Sequence, residues 1–387
     1  MSSHFIDYQL FGDQFSTPEI RAVFDERRML QLWLDVEAAL AAAQADLHLI
    51  PREDAEAIAR AARVENLDLP AIKRDLVVTA HPLVPVVREL ARVAGAAGRW
   101  VHWGATTQDV IDTGMVLQLK AAHAILRRDL VTLTRELAVL AEKHRDTVMA
   151  GRTHAQQALP ITFGFKVATW VAECLRQVER LDEVAPRLFV GELAGAVGTL
   201  AGFGPHGVAV QRRALERLGL GVPLIAWHAS RDVITEFVTL LALLGGTLAR
   251  IANEVVQLQR TEIMELEEPF AHGKVGSSTM PHKRNPAHAE RMRENLGRLG
   301  GLLLSEAVML KLGETLGRNT AHDLVYEAAM AAVEGKGSFR ERLLADPRVA
   351  AALSAAELDG LLEPTAYTGL AGAFVDRVVR AAKTLAS

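Results

Sequence analysis

The side chains best suited to chemistry lie in a stretch rich in glycine, hydroxyl and basic groups, residues 273–286, which reads GKVGSSTMPHKRNP. Adjacent backbone N–H groups and Lys283 could together form a concave site for a carboxylate or a developing oxyanion. The same composition also suits a basic surface loop, so composition alone leaves both interpretations open. The spacing excludes a Walker phosphate loop, which requires Gly-x4-Gly-Lys-Ser/Thr.

Three segments with helical periodicity must position such a loop. The clearest is an unbroken heptad pattern of apolar residues, which predicts one helix from about Thr113 to about Lys143. A second apolar stripe runs from Val167 to Leu181, and a third helical segment runs from about Ile234 to Glu265. Three long helices with matching stripes predict a bundle, and the fold class is therefore expected to be all-α. Alternation typical of a β-hairpin is absent.

Proline and glycine positions predict three domains. Shorter helices punctuated by prolines favour an N-terminal helical domain over residues 1–104. The long helices define a central bundle over residues 105–299, with the loop at residues 272–286 exposed between two helices. Shorter helical segments return in a C-terminal helical domain, residues 300–387.

Composition excludes several classes of partner. The 387 residues carry a formal net charge of -4, which gives no electrostatic reason to expect nucleic acid. A single cysteine, Cys174, cannot form an internal disulfide, and its apolar helical setting indicates a buried, inert thiol. The first residues do not resemble a signal peptide, and the apolar run from Phe237 to Ala249 is too short to span a bilayer. We therefore expect a cytoplasmic protein without membrane contact.

Three ordered motifs carry a resemblance to the fumarase/aspartase superfamily. Residues 273–286 resemble its signature loop, residues 101–113, VHWGATTQDVIDT, its first conserved region, and residues 151–160, GRTHAQQALP, its second. The resemblance implies elimination of a group β to a carboxylate, often releasing fumarate, or the reverse addition, without a cofactor. Such a reaction needs a base, an acid for the leaving group, and cations and N–H donors for the negative charge on the carboxylate.

The resemblance also implies roles for individual residues. Ser277 is the candidate base, and Lys283 with the loop amides would stabilise its anion. His154 is the candidate general acid, against the alternative of a histidine that only hydrogen-bonds within the bundle. The remaining residues expected to bind substrate are Thr106, Thr107, Gln108, Thr153, Gln157, Ser278, Met280, Asn285 and His81.

Other polar residues have simpler interpretations. Asp109 and Asp112 are expected to cap the long helix, because acidic side chains suit a helix N-terminus. His123 lies within the apolar stripe and is expected to be structural. The segment Gly195–Thr199 suits a tight packing turn as well as a substrate contact. Because no His/Cys/Asp/Glu set has metal-ligand spacing, we expect no metal.

Two branches of the superfamily compete. Residues 159–166, 227–232 and 317–323 resemble bacterial 3-carboxy-cis,cis-muconate cycloisomerases, which commonly lack a histidine at the position of His154. Retention of His154 and His81 resembles adenylosuccinate lyases instead, although their N-terminal Arg-Tyr pair is not evident here. We therefore expect a lyase that removes an amine or oxygen leaving group from a substituted succinate, with a cycloisomerase as the alternative.

The chain also departs from the superfamily pattern. Relatives have several tens of residues between the signature loop and the C-terminal domain, whereas here Pro286 leads almost directly into the terminal region near Gly300. A second alternative is therefore a catalytically impaired homologue that lacks part of the bundle. By resemblance, the active protein is expected to be a homotetramer acting on a small dicarboxylate, with each site built from different subunits.

Overall fold

A computed structural model describes residues 4–269, 283–290 and 370–385, together with residues 277, 279, 280, 292, 341, 345, 356 and 368. Helices dominate this part of the chain, which confirms the predicted all-α class. The α-helices are α1 Pro18–Val23, α2 Glu26–Asp46, α3 Arg52–Ala61, α4 Leu69–Thr79, α5 Val84–Val93, α6 Thr107–Lys143, α7 Phe163–Leu188, α8 Gly207–Arg217, α9 Asp232–Leu258 and α10 Ala371–Lys383. Short 3-10 helices occupy Phe5–Asp7, Gly12–Gln14, Val64–Asn66, Gly95–Trp100 and Ala201–His206.

The chain divides into two compact units. The first contains Met1–Leu130 and Gln177–Leu241, and the second contains Val131–Arg176 and Ala242–Ser387. Helices α6, α7 and α9 each contribute residues to both units, because their predicted apolar stripes continue past the points where the units divide. The predicted division into three domains stays a prediction.

Helix α2 organises the core of the first unit. Its alanine- and leucine-rich sequence favours a helix, and it buries residues on several faces because it lies inside the unit. Trp33 and Leu34 pack in a cluster that includes Val110 of α6, and Leu40 packs in another with Val116 of α6. The first turns of α6 are thereby held against a rigid core.

The core of the second unit joins α7 to the C-terminal helix. Val167 and Val171 of α7 pack with Ala141 of α6 and with Val375 and Val379 of α10. Cys174 of α7 is completely buried, as its apolar setting predicted. Burial, reinforced by the charge of Glu173, raises the pKa of its thiol to about 11.

A β-hairpin in the second unit departs from the sequence expectation. Strand β1, Val148–Thr153, pairs antiparallel with β2, Gln156–Thr162. Most of β2 is exposed in this chain, so no apolar face imposes the alternation by which hairpins are recognised in sequence. The hairpin carries the whole second motif, residues 151–160.

The third long helix is shorter than its pattern predicted. Helix α9 ends at Leu258, whereas periodicity suggested Glu265. The chain turns back at this point, because Met264 has a φ of 49° and the Glu265 N–H donates to the Leu258 carbonyl at 3.0 Å. Apolar spacing alone does not reveal such a turn.

Candidate active site

The first motif forms the start of α6 in the first unit. Thr106 precedes the helix, and its backbone N–H donates to Asp109 Oδ2 at 2.9 Å, which is the capping bond expected of an acidic residue in the first turn. Gly104, with a φ of 83°, lies against Gly202, and a Cβ built on Gly202 would meet the Gly104 carbonyl at 2.7 Å. This close approach requires glycine at Gly202 and fixes where the helix begins.

His81 lies beside the predicted substrate-binding threonine. His81 Nδ1 accepts the Leu83 N–H at 3.3 Å, and His81 Nε2 lies 3.4 Å from Thr107 Oγ1. Because Nδ1 accepts, the ring proton is assigned to Nε2, which donates to the threonine hydroxyl. The hydroxyl can then donate its own proton to a carboxylate. The structure therefore brings together His81 and Thr107, and the adjacent Thr106 and Gln108 lie on the same turn.

Gln108 is held by charged neighbours. Its Nε2 donates to Asp112 Oδ1 at 2.8 Å, and the Arg231 guanidinium donates to both oxygens of Asp112, at 2.9 and 3.1 Å. Asp112 is almost fully buried, so it needs these donors. Asp112 therefore orients a residue that is expected to bind substrate, and its predicted capping role stays a prediction.

The glycine-rich segment is used structurally. Ala194 N and Gly195 N donate to the carboxylate of Asp109 at 2.9 and 3.0 Å. Gly195 and Gly198 have φ values of 78° and 80°, and the Leu200 N–H closes the turn on the Ala194 carbonyl at 2.8 Å. Of the two interpretations of this segment, the packing turn accounts for the amides of Gly195 and Gly198.

In the second unit, His154 occupies the turn of the hairpin. His154 and Ala155 have φ values of 49° and 64°, so both adopt the left-handed conformation of a two-residue type I′ turn. Turns of this kind usually contain asparagine and glycine, and a histidine there is strained. Thr153 and Gln157 flank the turn, and a bulge between Gly151 and Arg152 shifts the pairing of Gln157. All three predicted side chains are exposed in this chain.

Ser277 is the described serine of the signature loop. Its Oγ accepts the Met280 N–H at 3.1 Å and the Thr279 N–H at 3.4 Å. Two backbone donors on one hydroxyl oxygen favour the ionised form that a serine base requires. Ser278 lies outside the described residues. Lys283 and Asn285 follow Met280 closely in sequence. Lys283 is exposed and Asn285 is partly buried.

The segment after α9 anchors both the hairpin and the end of the loop. Arg152 pairs with Glu265 at 2.7 Å, and Arg284 pairs with Glu267 at 2.7 Å. The Glu268 carboxylate accepts the Ala289 N–H at 2.8 Å. Among the described residues of the second unit, no hydrogen bond or ion pair joins the hairpin turn to Ser277.

The motif analysis missed two residues near the start of α6. Glu192 and His228 lie with Asp109 so that one ligand-type atom of each is within 4.8 Å of the others. They are separated by 36 or more positions in sequence, so spacing does not reveal them. The Asp109 carboxylate already accepts hydrogen bonds from four N–H donors, which fits a hydrogen-bonded network. The absence of a metal stays a prediction.

His102 is a further titratable residue of the first motif. Its Nδ1 lies 2.6 Å from Glu37 Oε1, and Glu37 is almost fully buried. Burial alone would lower the pKa of His102, but the hydrogen bond and charge of Glu37, helped by the charge of Asp109, outweigh it and raise that pKa above its usual range.

Comparison with known proteins agrees with the three motifs. Residues 13–301 match the family described as Lyase, and residues 301–378 match the family described as Adenylosuccinate lyase C-terminus. The chain belongs to the fumarase/aspartase superfamily. Members of this superfamily are enzymes that fold as helical bundles. The predicted family and the prediction of an enzyme are both confirmed.

Individual relatives are similar over their full length. The chain is 42% identical to N-acetyl-S-(2-succino)cysteine lyase of Dickeya dadantii, over 98% of both chains, and 41% identical to the enzyme of the same name from Enterococcus italicus, over 99% of this chain and 98% of that one. The crystal structure of 3-carboxy-cis,cis-muconate lactonizing enzyme from Pseudomonas putida superposes with a TM-score of 0.82 at 36% identity, covering 97% of this chain and 99% of that chain.

The length of the alignment tests the expectation that a segment present in relatives is missing from this chain. The alignment with the Dickeya enzyme spans 444 positions, whereas the whole chain has 387 residues. At least 57 aligned positions of the relative therefore face no residue of this chain. The size agrees with the shortfall of several tens of residues expected from the sequence, and its position after Pro286 stays a prediction.

Proposed function

We propose that this lyase catalyses β-elimination from a 2-substituted succinate and releases fumarate. The observation that supports this most directly is the similarity over 98% of both chains to a lyase whose substrate is an S-succinylated cysteine. The proposal adds a thioether leaving group to the amine and oxygen groups expected from sequence. A thiolate leaves readily because the pKa of a thiol is only about 8.5.

The contacts of the described residues support a distinct role for each of them in this reaction. Ser277, with its two amide donors, would remove the proton from the carbon next to a carboxylate. The negative charge would then accumulate on that carboxylate, beside the cation of Lys283 and the side chain of Asn285. Expulsion of the leaving group with the electron pair completes fumarate, and His154 would protonate that group.

The first motif supplies donors for a substrate carboxylate. Thr107, polarised by His81, and the neighbouring Thr106 and Gln108 would bind it through hydroxyl and amide protons. Thr153, Gln157, Ser278 and Met280 complete the proposed binding set. No resident cofactor is proposed for this chemistry, since proton transfer and charge stabilisation suffice for it.

A homotetramer with shared sites is the second part of the proposal. The most apolar 18-residue window of α9 has a mean hydropathy of 1.6, yet only 28% of it is buried in the single chain. Among the described helices, α9 alone has the length and composition to cross a membrane, which corrects the expectation that the apolar run within it is too short. Two of its charged residues, Glu236 and Glu254, pair with Arg187 and Lys166 of α7 within the chain. The exposed apolar surface that remains on α9 favours burial against copies of the chain.

The test is a fumarate-release assay on the purified protein. The substrates are N-acetyl-S-(2-succino)cysteine, S-(2-succino)cysteine, adenylosuccinate, argininosuccinate and aspartate, each with Ser277→Ala as the control. Fumarate from one of them, lost in the Ser277→Ala variant, would support the proposal and identify the leaving group. Absence of fumarate from a well-folded tetramer would favour the alternative of a homologue impaired by its shortened sequence.

Cycloisomerisation remains the second candidate because of the structural similarity to the Pseudomonas putida enzyme. It predicts consumption of 3-carboxy-cis,cis-muconate with formation of a lactone and no fumarate. Running both assays on one preparation separates the two reactions. Lactone formation alone would transfer the assignment to the cycloisomerase branch.

A further inference from the structure

One buried carboxylate joins three distant segments of the first unit. Asp109 is fully buried, and its Oδ1 accepts Ala194 N at 2.9 Å and His228 Nε2 at 2.8 Å. Its Oδ2 accepts Thr106 N at 2.9 Å and Gly195 N at 3.0 Å. All four partners are hydrogen-bond donors. They are satisfied only if both terminal atoms of the side chain at position 109 are acceptors, as the two carboxylate oxygens are.

His228 provides the only side-chain donor of the four bonds to Asp109. Its Nε2 also lies 3.8 Å from Glu192 Oε1, an oxygen without a hydrogen-bond partner among the described residues. The other oxygen of the buried Glu192 accepts the Trp227 N–H. Arg231 donates to the His228 carbonyl at 2.7 Å. The imidazole Nε2 thus lies near two buried carboxylates and donates its hydrogen bond to Asp109.

We propose that His228, acting through Asp109, is a positioning residue for the substrate-binding turn at Thr106–Gln108. Its bond to Asp109 helps hold the carboxylate that fixes the Thr106 backbone and the turn that begins at Ala194. The backbone of Thr106 leads directly into Thr107, so a shift of this carboxylate displaces the hydroxyl that faces His81. The expected effect of His228 on substrate binding rests on the proposed function. Its role in fixing the segments that contain Thr106 and Ala194 does not depend on that function.

Amide hydrogen exchange tests whether His228 holds these two segments in place. His228→Leu removes the donor at similar volume, and His228→Gln restores an N–H on a flexible side chain. The control is His123→Leu, since His123 is a buried histidine of the first unit, bonded to the Leu181 carbonyl, and lies about 24 Å along α6 from Thr107. In the leucine variant at position 228, amides of residues 104–110 and 192–198 should exchange at least about tenfold faster than in wild type.

The glutamine variant and the His123→Leu control should retain nearly wild-type exchange in both segments. Unchanged exchange in His228→Leu would overturn the proposal. If that variant fails to fold, His228→Asn repeats the test, because its shorter amide does not reach Asp109. Acceleration alike in the position-228 variants and in the His123→Leu control would indicate general loosening of the unit and would also overturn the proposal.

Kinetics then tests the consequence for substrate. On the substrate that releases fumarate, His228→Leu should raise KM at least about tenfold, with recovery in His228→Gln and no such rise in His123→Leu. Accelerated exchange with unchanged KM would overturn the link to substrate. If wild type is inactive on every substrate, the proposed function fails, while the exchange result still decides the holding of the two segments.

Discussion

The turn residue His154 is the residue whose conformation most suggests function. Its left-handed backbone is unfavourable for histidine, and no buried neighbour requires an imidazole there, since the side chain is exposed in this chain. A strained residue of this kind is retained where its side chain does something that asparagine or glycine cannot.

We therefore expect His154→Asn to separate stability from activity. Asparagine tolerates the left-handed conformation, so the free energy of unfolding should stay equal or rise by up to about 1 kcal/mol. Fumarate release should fall about 100-fold or more because a general acid is lost. Ala155→Gly is the matched control and should stabilise the same turn by about 0.5–1 kcal/mol with activity retained. Full activity in His154→Asn would remove His154 from the mechanism.

His102 gives a prediction about pH. Its pKa is raised in the folded chain, so the folded state binds its proton more tightly than the unfolded state does. This stabilisation is fully present below the unfolded pKa of about 6.5 and is lost as pH rises through the folded pKa. The destabilisation by His102→Gln, measured by urea unfolding, should therefore be larger at about pH 6 and decline toward alkaline pH. A difference that does not vary with pH would contradict the ion pair with Glu37.

At the scale of elements, the start of α6 depends on a buried ion pair. Asp112 is 2% exposed, and Arg231 supplies two of its hydrogen bonds. Removal of one partner leaves a buried carboxylate short of donors, which is costly, although the arginine is partly exposed.

Arg231→Met should accordingly lower the free energy of unfolding by about 1–3 kcal/mol. Adding Asp112→Asn to this variant should recover part of the loss, because the uncompensated charge is removed. Urea unfolding of the two single variants and the double variant gives the coupling between the residues. Additive losses would show that the two side chains act independently.

The elements also show what a sequence can specify. The heptad pattern predicted the end of α6 at Lys143, but the helix begins at Thr107, six residues before the stripe-based estimate, because Asp109 caps its first turn. The hairpin was missed because its strands lack a buried face. The contacts of Asp109 with Gly195 and His228 span 86 and 119 residues, and only the folded chain brings such positions together.

The residues of the candidate site were predictable from the sequence only in part. Thr107, Ser277, His81 and Met280 were predicted from their motifs, and their roles stay predictions. The structure adds the contacts of Thr107 with His81 Nε2 and of Ser277 Oγ with the Met280 N–H. Glu192 carries no local signal, and His228 was noted only as part of the segment 227–232 that resembles the cycloisomerases. Asp109 was expected only to cap the long helix, and its complete burial in the folded chain is what requires the further donors.

At the scale of the whole molecule, α9 makes the clearest prediction. Val238 on this helix is 58% exposed in the single chain, which fits a surface that another copy covers. Val238→Asp should convert a tetramer to smaller species in light scattering and abolish fumarate release. Val208→Asp on α8, at a residue of 61% exposure, is the control and should leave assembly intact. A wild-type monomer would contradict the tetramer directly.

The buried thiol of Cys174 has a practical consequence for labelling chemistry. Because it is the sole cysteine and its pKa is raised to about 11, the native chain should resist maleimides near neutral pH. A cysteine introduced at Val208, an exposed position that is expected to lie outside the interface between copies, would then be the reactive thiol on each copy. Spin labels or bifunctional cross-linkers placed there would measure distances between copies without any prior removal of native cysteine.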